Sequence, residues 1–366
     1  MAVFTGTDAA EPLVGGDSAD TIDGLGGNDT LNGLGGDDSI EGREGDDRIE
    51  GGDGYDQLGG GDGADTVWAG TAAGTDTAGA ILFGDAGDDL LFGSAGGTNM
   101  QGWTGRDTIH GYDNTDFVLG GPDGDSILTA GGADTVWAGP GDDFVDAGDG
   151  DDVVFGGEES DITDSGADTI DGGEGADLVI AGDGADSVQG GGGNDDLNGN
   201  TGSDLVHGGP GADFVRGGQD ADQVWGDDGD DWHVNGNLGD DLVDGGAGDD
   251  LVRGGQGNDL MYGDDGDDTL WGDRGNDVMD GGQGADRFLF VSGSGLDRIE
   301  GFEAGIDRIV TAAGLNGTAI QDAAGLLARV AAHADGTLLD LGGGHSVLIL
   351  GVAPGDLTAA DFAILS

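Results

Sequence analysis

Aspartate recurs in this chain every nine residues, and that period constrains the fold more than any other feature. Asp20, Asp29, Asp38, Asp47, Asp56 and Asp65 stand in one phase, and Asp89 resumes it after an irregular stretch. A second run holds Asp107, Asp116, Asp125, Asp134, Asp143 and Asp152. A third holds Asp168, Asp177, Asp186, Asp195, Asp204, Asp213, Asp222 and Asp231, and a fourth Asp241, Asp250, Asp259, Asp268, Asp277 and Asp286. These 27 aspartates, with two irregular units at 69–83 and 93–101, define an array of 29 units. Gly172-Gly173-Glu174-Gly175-Ala176-Asp177-Leu178-Val179-Ile180 is a clean unit, and its residues number the places one to nine. Place six is the aspartate. Place eight is apolar, as in Ile22, Leu31, Ile40, Ile49, Leu58 and Val67.

Glycines at places one, two and four admit positive φ and close backbone approach, so the first six residues are expected to turn. The last three form a short strand whose middle side chain alone points inward. One file of place-eight Val, Leu and Ile is then the whole core. A chain with 87 glycines would otherwise read as disordered, and the period is what makes it a repeat architecture.

The aspartates pose an electrostatic problem that a thin core cannot offset. Asp and Glu number 76 against 10 Lys plus Arg, a net charge of −66. Such a charge sets aside nucleic acid and anionic membranes as partners. No apolar run approaches the ~18 residues of a membrane span, so membrane insertion is not expected. Absence of cysteine removes thiolate sites and disulfides. Carboxylates and turn carbonyls together form all-oxygen cages, which suit Ca²⁺ with its six to eight ligands better than octahedral Mg²⁺. About 27 Ca²⁺ would bring −66 to roughly −12, a charge a compact protein tolerates. Without metal the array is expected to be disordered.

This nonapeptide resembles that of the RTX (repeats-in-toxin) proteins over about three quarters of the chain. The resemblance implies an all-β solenoid, a parallel β-roll with two units per coil and about 14 coils. It also implies that the 27 in-phase aspartates and the turn carbonyls ligate calcium, on the order of two dozen ions. Thr98 stands at the ligand place of the unit 93–101, which should weaken a site there. At Trp232-His233-Val234-Asn235 one extra residue calls for a bulge that turns Val234 inward and His233 outward.

Residues 1–14 read as an N-terminal cap strand, 15–290 as the roll, and 291–366 as a small mixed α/β cap with a secretion signal. Ala319–Ala334 has a helix-like pattern, and Thr337–Leu341 with Ser346–Leu350 reads as a hairpin around Gly342-Gly343-Gly344-His345. Asp286-Arg287-Phe288-Leu289-Phe290, the segment Gly301–Ile309 and Leu357-Thr358-Ala359-Ala360-Asp361-Phe362 are similar to the C-terminal segment of serralysin-type proteases. The ending Asp361-Phe362-Ala363-Ile364-Leu365-Ser366 is similar to the C-terminal signal read by type I secretion machinery. The N-terminus lacks the basic and apolar regions of a secretory signal.

Catalytic motifs are missing: there is no His-Glu-x-x-His and no Gly-x-Ser-x-Gly. The expected function is a secreted, calcium-folded structural or adhesive protein, extracellular or at the cell surface, without catalytic activity. The alternative is an accessory or stabilising module of an extracellular enzyme. A partner face is expected where outward residues become apolar: Phe83, Phe117, Leu119, Trp137, Val153, Phe155, Leu178 and Ile180. It would serve self-association or a cell-surface or matrix partner. Trp68 and Phe92 fall on the opposite sheet, so the stripe is expected to be one-sided.

Overall fold

The computed structural model describes residues 1–70, 78–157 and 166–365. It divides into two compact units, Met1–Val188 and Gln189–Ser366. Each is an all-β parallel solenoid, and the two count about 16 turns between them. The excess over 14 comes from strands outside the regular array. Val3–Thr5 pairs with Thr21–Asp23, Pro12–Val14 with Thr30–Gly35, and Arg287–Phe290 with Arg308–Ala312.

In the first unit the register advances by one coil of two nonapeptides. Thr21, Ile22 and Asp23 face Ser39, Ile40 and Glu41 on one sheet, while Thr30, Leu31 and Asn32 face Arg48, Ile49 and Glu50 on the other. Place eight therefore stacks on place eight, and Ile22, Leu31, Ile40, Ile49, Leu58 and Val67 are fully buried. Insertions do not disturb this file. Leu58 still meets Leu82 and Val145 still meets Ile170, although the chain between them is longer. Residues 158–165, an insert that could cover the apolar stripe, lie outside the described residues.

The second unit continues the pattern with Val206, Val215, Val224, Val243, Val252 and Leu270 in its core. At the one-residue insertion Val215 faces Val234 and Phe214 faces His233, so Val234 is inside and His233 outside, as expected. The surplus residue is Trp232, which is 73% exposed. The hairpin is also found, with Gly336–Gly342 antiparallel to His345–Leu350. The helix is not. Only Ala323–Leu327 is helical, capped by Asp322, whose side chain accepts the Gly325 N–H. Val330–His333 leaves the helical pattern to pair antiparallel with Gly336–Gly342, because a sheet edge offers its backbone partners that an exposed helix end lacks.

The glycine rule also needs revision. Places two and four take positive φ, but place one does not. Place two nevertheless holds Leu34 at φ 72 and Arg43 at φ 81, a conformation that costs an L-residue about 1–2 kcal/mol. Leu34→Gly should therefore stabilise the calcium-loaded roll by roughly 0.5–1 kcal/mol after glycine's own entropy cost. Leu34→Ala, which keeps the strain, should not. Urea unfolding of the two variants checks the contrast.

Candidate metal centre

All 27 in-phase aspartates are buried, none more than 4% exposed. The turn brings each carboxylate under the next coil, where the two oxygens meet different partners. Oδ1 accepts the backbone N–H of the aspartate one coil earlier: Asp20 donates to Asp38 at 2.7 Å, Asp29 to Asp47 at 2.7 Å and Asp107 to Asp125 at 2.8 Å. The aspartate carbonyl in turn accepts from place seven of the next coil, as Ser39 N–H does to Asp20 O at 3.0 Å. An aspartate such as Asp38 thus fastens three successive turns, accepting from Asp20, donating to Asp56 and accepting again from Gln57.

Oδ2 differs. In Asp29, Asp38, Asp47, Asp65, Asp213, Asp222 and further members of the file it is buried without a hydrogen-bond partner. A buried carboxylate oxygen left so is costly unless a cation meets it. What lies near it is a backbone carbonyl. A Cβ placed on Gly24 would lie 2.7 Å from Asp29 Oδ2 and 2.8 Å from the Gly42 carbonyl oxygen. On Gly208 it would lie 2.6 Å from Asp213 Oδ2 and 2.7 Å from the Gly226 carbonyl. At Gly24 and Gly208 place one is thus glycine because oxygens converge there, not because φ demands it. Among the described residues no three His, Asp or Glu side chains gather as a metal site. A cation held by the file would draw most of its ligands from backbone carbonyls. An all-oxygen, carbonyl-rich, weakly charged donor set fits Ca²⁺.

The variants of the slot are informative. Thr98 occupies it with a hydroxyl that accepts the Ser94 N–H at 3.0 Å, while its own N–H donates to Asp116 Oδ1. Three further acidic residues join the ladder of N–H to carboxylate bonds, Asp297 and Asp307 outside the nine-residue phase and Glu11 nine residues before Asp20. Asp277 N–H donates to Asp297 Oδ1 and Asp286 N–H to Asp307 Oδ1, both at 3.1 Å. Glu11 holds the same place against Gly6 and the Gly24 carbonyl, with its N–H on Asp29 Oδ1 at 2.9 Å. Spacings of 20 and 21 residues hid Asp297 and Asp307, and a glutamate hid the first.

The apolar stripe residues come together on one sheet. Phe83, Gln101, Leu119, Trp137, Phe155 and Ile180 form one file, and Phe117, Thr135, Val153 and Leu178 the next. Phe117 and Trp137 have ring centroids 5.1 Å apart, and Trp137 and Phe155 5.3 Å. Mutual stacking leaves them half-buried rather than exposed. Trp68 and Phe92 lie on the opposite sheet, as expected, and form a second, separate ladder there. Trp68 stacks on Phe92 and Phe92 on His110, at 5.3 and 5.0 Å, with Arg48 lying 3.9 Å over Trp68. Register one coil apart turns outward aromatics on either sheet into ladders.

Compared with known proteins, the chain matches the family of the RTX calcium-binding nonapeptide repeat (4 copies) over residues 5–40, 41–77, 81–100, 97–127, 129–163, 162–197, 198–232, 233–261 and 253–288. The match ends there and does not support the serralysin-type reading of the C-terminal segment. No curated protein matches. Among solved structures the chain is similar to the extracellular lipase LipA from Serratia marcescens, at 18% identity and a TM-score of 0.23. That similarity covers 56% of this chain and 46% of the lipase, less than half its length.

Burial pushes the ladder carboxyls up from 3.8, with the neighbouring carboxylate adding to the rise and the donated N–H opposing it. Asp47 and Asp107 reach about 6, Asp65 and Asp259 about 7, Asp89, Asp125, Asp222 and Asp277 about 8. A carboxyl raised on folding binds more protons folded than unfolded. Its contribution to the metal-free fold is complete below about pH 4 and is lost as pH rises through 6 to 8. The chain in chelator should therefore gain β-structure in far-UV circular dichroism between pH 8 and 5. Calcium uptake at pH 7 should release protons, visible as a calorimetric heat that depends on the buffer. Loss of β signal on acidification, or a buffer-independent heat, would contradict this.

Proposed function

The chain belongs to the RTX calcium-binding nonapeptide-repeat family, and from that premise we propose that it is a secreted, calcium-folded structural or adhesive protein of the extracellular space. The observation that carries this reading is the buried Oδ2 of aspartates such as Asp29, Asp38, Asp213 and Asp222, which meets no hydrogen-bond donor, set beside a core one residue wide. The residues that would hold the ions are the 27 in-phase aspartates, joined by Asp297 and Asp307, with turn carbonyls such as those of Gly42 and Gly226 completing each cage. Calcium supplies the positive charge between coils. The protein supplies the spacing.

Low cytosolic calcium keeps such a chain unfolded for export by type I machinery, and external calcium then folds it. The signal is assigned to residues 291–366. A non-catalytic role is supported by the histidines, each of which has a packing or hydrogen-bonding partner. His110 stacks on Phe92, His207 on Trp225 and His233 on Phe214. His345 Nδ1 accepts the Gly295 N–H, and His333 lies 3.6 Å from Asp335. The stacked stripe of the first unit is the proposed self-association or matrix face.

The purified chain should be largely disordered in chelator and β-rich at millimolar calcium, with cooperative uptake of on the order of two dozen ions. Identical circular dichroism in the two conditions would refute the reading. Removing residues 291–366 should abolish export; unchanged export would remove the secretion signal from it. For the stripe, Phe117→Ser with Trp137→Ser should abolish oligomers or matrix binding and leave calcium-induced folding intact. Sedimentation in calcium, with and without matrix polysaccharide, reads that outcome.

A further inference from the structure

The outward places of the second unit carry a regularity that calcium binding does not use. Asn198-Gly199-Asn200 recurs 37 residues later as Asn235-Gly236-Asn237, and Arg216-Gly217-Gly218-Gln219 recurs at the same interval as Arg253-Gly254-Gly255-Gln256. On one sheet these segments alternate. Place nine reads Asn198, Arg216, Asn235, Arg253 and Trp271 along consecutive strands, and the adjacent place two reads Asn200, Gly218, Asn237, Gly255 and Asp273. The glycines leave room that the asparagines bound, and the result is an open trough of 680 Å³. That volume is within the range of small-ligand sites.

Its polar groups are held in pairs. Asn198 Nδ2 donates to Asn200 Oδ1 at 2.6 Å, and Asn235 pairs with Asn237 in the same way. Asn235 is 7% exposed, so its amide is fixed at the floor. Arg253 donates through Nε to Asp273 and lies 4.4 Å over the Trp271 ring, which locks the guanidinium in plane. Arg216 is likewise paired with Asp196. The paired arginines Arg253 and Arg216 are thereby neutralised.

Tolerance of positive φ explains Asn200 and Asn237, at φ 77 and 78. Asn198 and Asn235 each also accept the backbone N–H of Asn200 and Asn237, at 3.3 and 3.1 Å, and neither this bond nor φ explains the alternation with arginine. Planar amides and paired guanidinium–carboxylate groups repeated every second strand suit a ligand rich in hydroxyls, nearly neutral, and itself repeating. Strands lie ~4.8 Å apart, so the motif repeats every ~10 Å, close to two hexopyranose units of an extended chain. We propose that this trough binds an extended neutral polysaccharide, with sugar units running across the strands from Asn198 toward Arg274. The site is separate from the aspartate file and needs the calcium-folded state only for the solenoid to exist.

The test uses calcium-loaded full-length protein, titrated calorimetrically with cellohexaose and chitohexaose as extended neutral probes and polygalacturonate as an anionic one. At least one neutral hexasaccharide should bind. The double variant Asn200→Gly with Asn237→Gly should bind it at least tenfold more weakly, with wild-type circular dichroism and calcium uptake, since glycine is the common residue at place two. If that variant fails to fold, Gln219→Ala with Gln256→Ala, both at exposed positions, gives the same reading. No binding of either hexasaccharide up to millimolar concentration, binding of polygalacturonate alone, or undiminished binding by a folded variant overturns the proposal. Failure with calcium-induced folding intact leaves the calcium reading standing.

Discussion

Everything in this fold hangs on one repeated hydrogen bond, from the N–H of an aspartate to the carboxylate of the aspartate a coil further on. It fixes the register of the coils more tightly than the strands do, since many strands are only three residues long. It also creates the problem it helps to solve. A side chain used as a fastener must be buried, and burying it in file with its own kind raises each carboxyl toward neutrality. The apolar file contributes one side chain per unit and cannot outweigh that. A divalent ion between coils removes the repulsion and meets Oδ2, so the metal completes what is a half-built core.

The repeating half of this arrangement was legible because the period ties three properties to fixed places. Val67, Leu270 and their equivalents are inward since a three-residue strand has one inward side chain, and the buried aspartates follow from the same phase. Features that depend on contact between coils were not legible. Gly24 and Gly208 look like conformational glycines in sequence, yet their φ is ordinary and it is the approach of two oxygens that excludes a side chain. Asp297 and Asp307 enter the file through longer turns that break the spacing while preserving the hydrogen bond. His110 looks isolated until the register places it on Phe92. The helical pattern at Ala319–Ala334 fails for a different reason: a five-residue helix is all that precedes a sheet edge able to recruit Val330–His333.

Because places one, four, six and eight are committed to the turn, the file and the core, variation is confined to the outward places. A residue there is never alone. Whatever stands at place seven or nine is set beside its equivalent one coil away, so a change of character along the chain appears as a surface stripe. In the first unit such stripes are aromatic on both sheets, with rings covering one another. In the second unit the stripe alternates amide with guanidinium.

That difference bears on how such a scaffold acquires function. Stacked aromatics such as Trp137 on Phe155 are accounted for by the sheet they stabilise, whatever else they bind. Asn235 and Arg253 are oriented by polar bonds instead: Asn235 accepts the Asn237 N–H, and Arg253 is held by Asp273 over the Trp271 ring, so that the same fixed polar groups recur along the sheet. The repetition strengthens the point: one such pair is compatible with chance, whereas two copies two coils apart on the same sheet share a spacing set by the backbone. A ligand able to use both copies must have a repeat of its own.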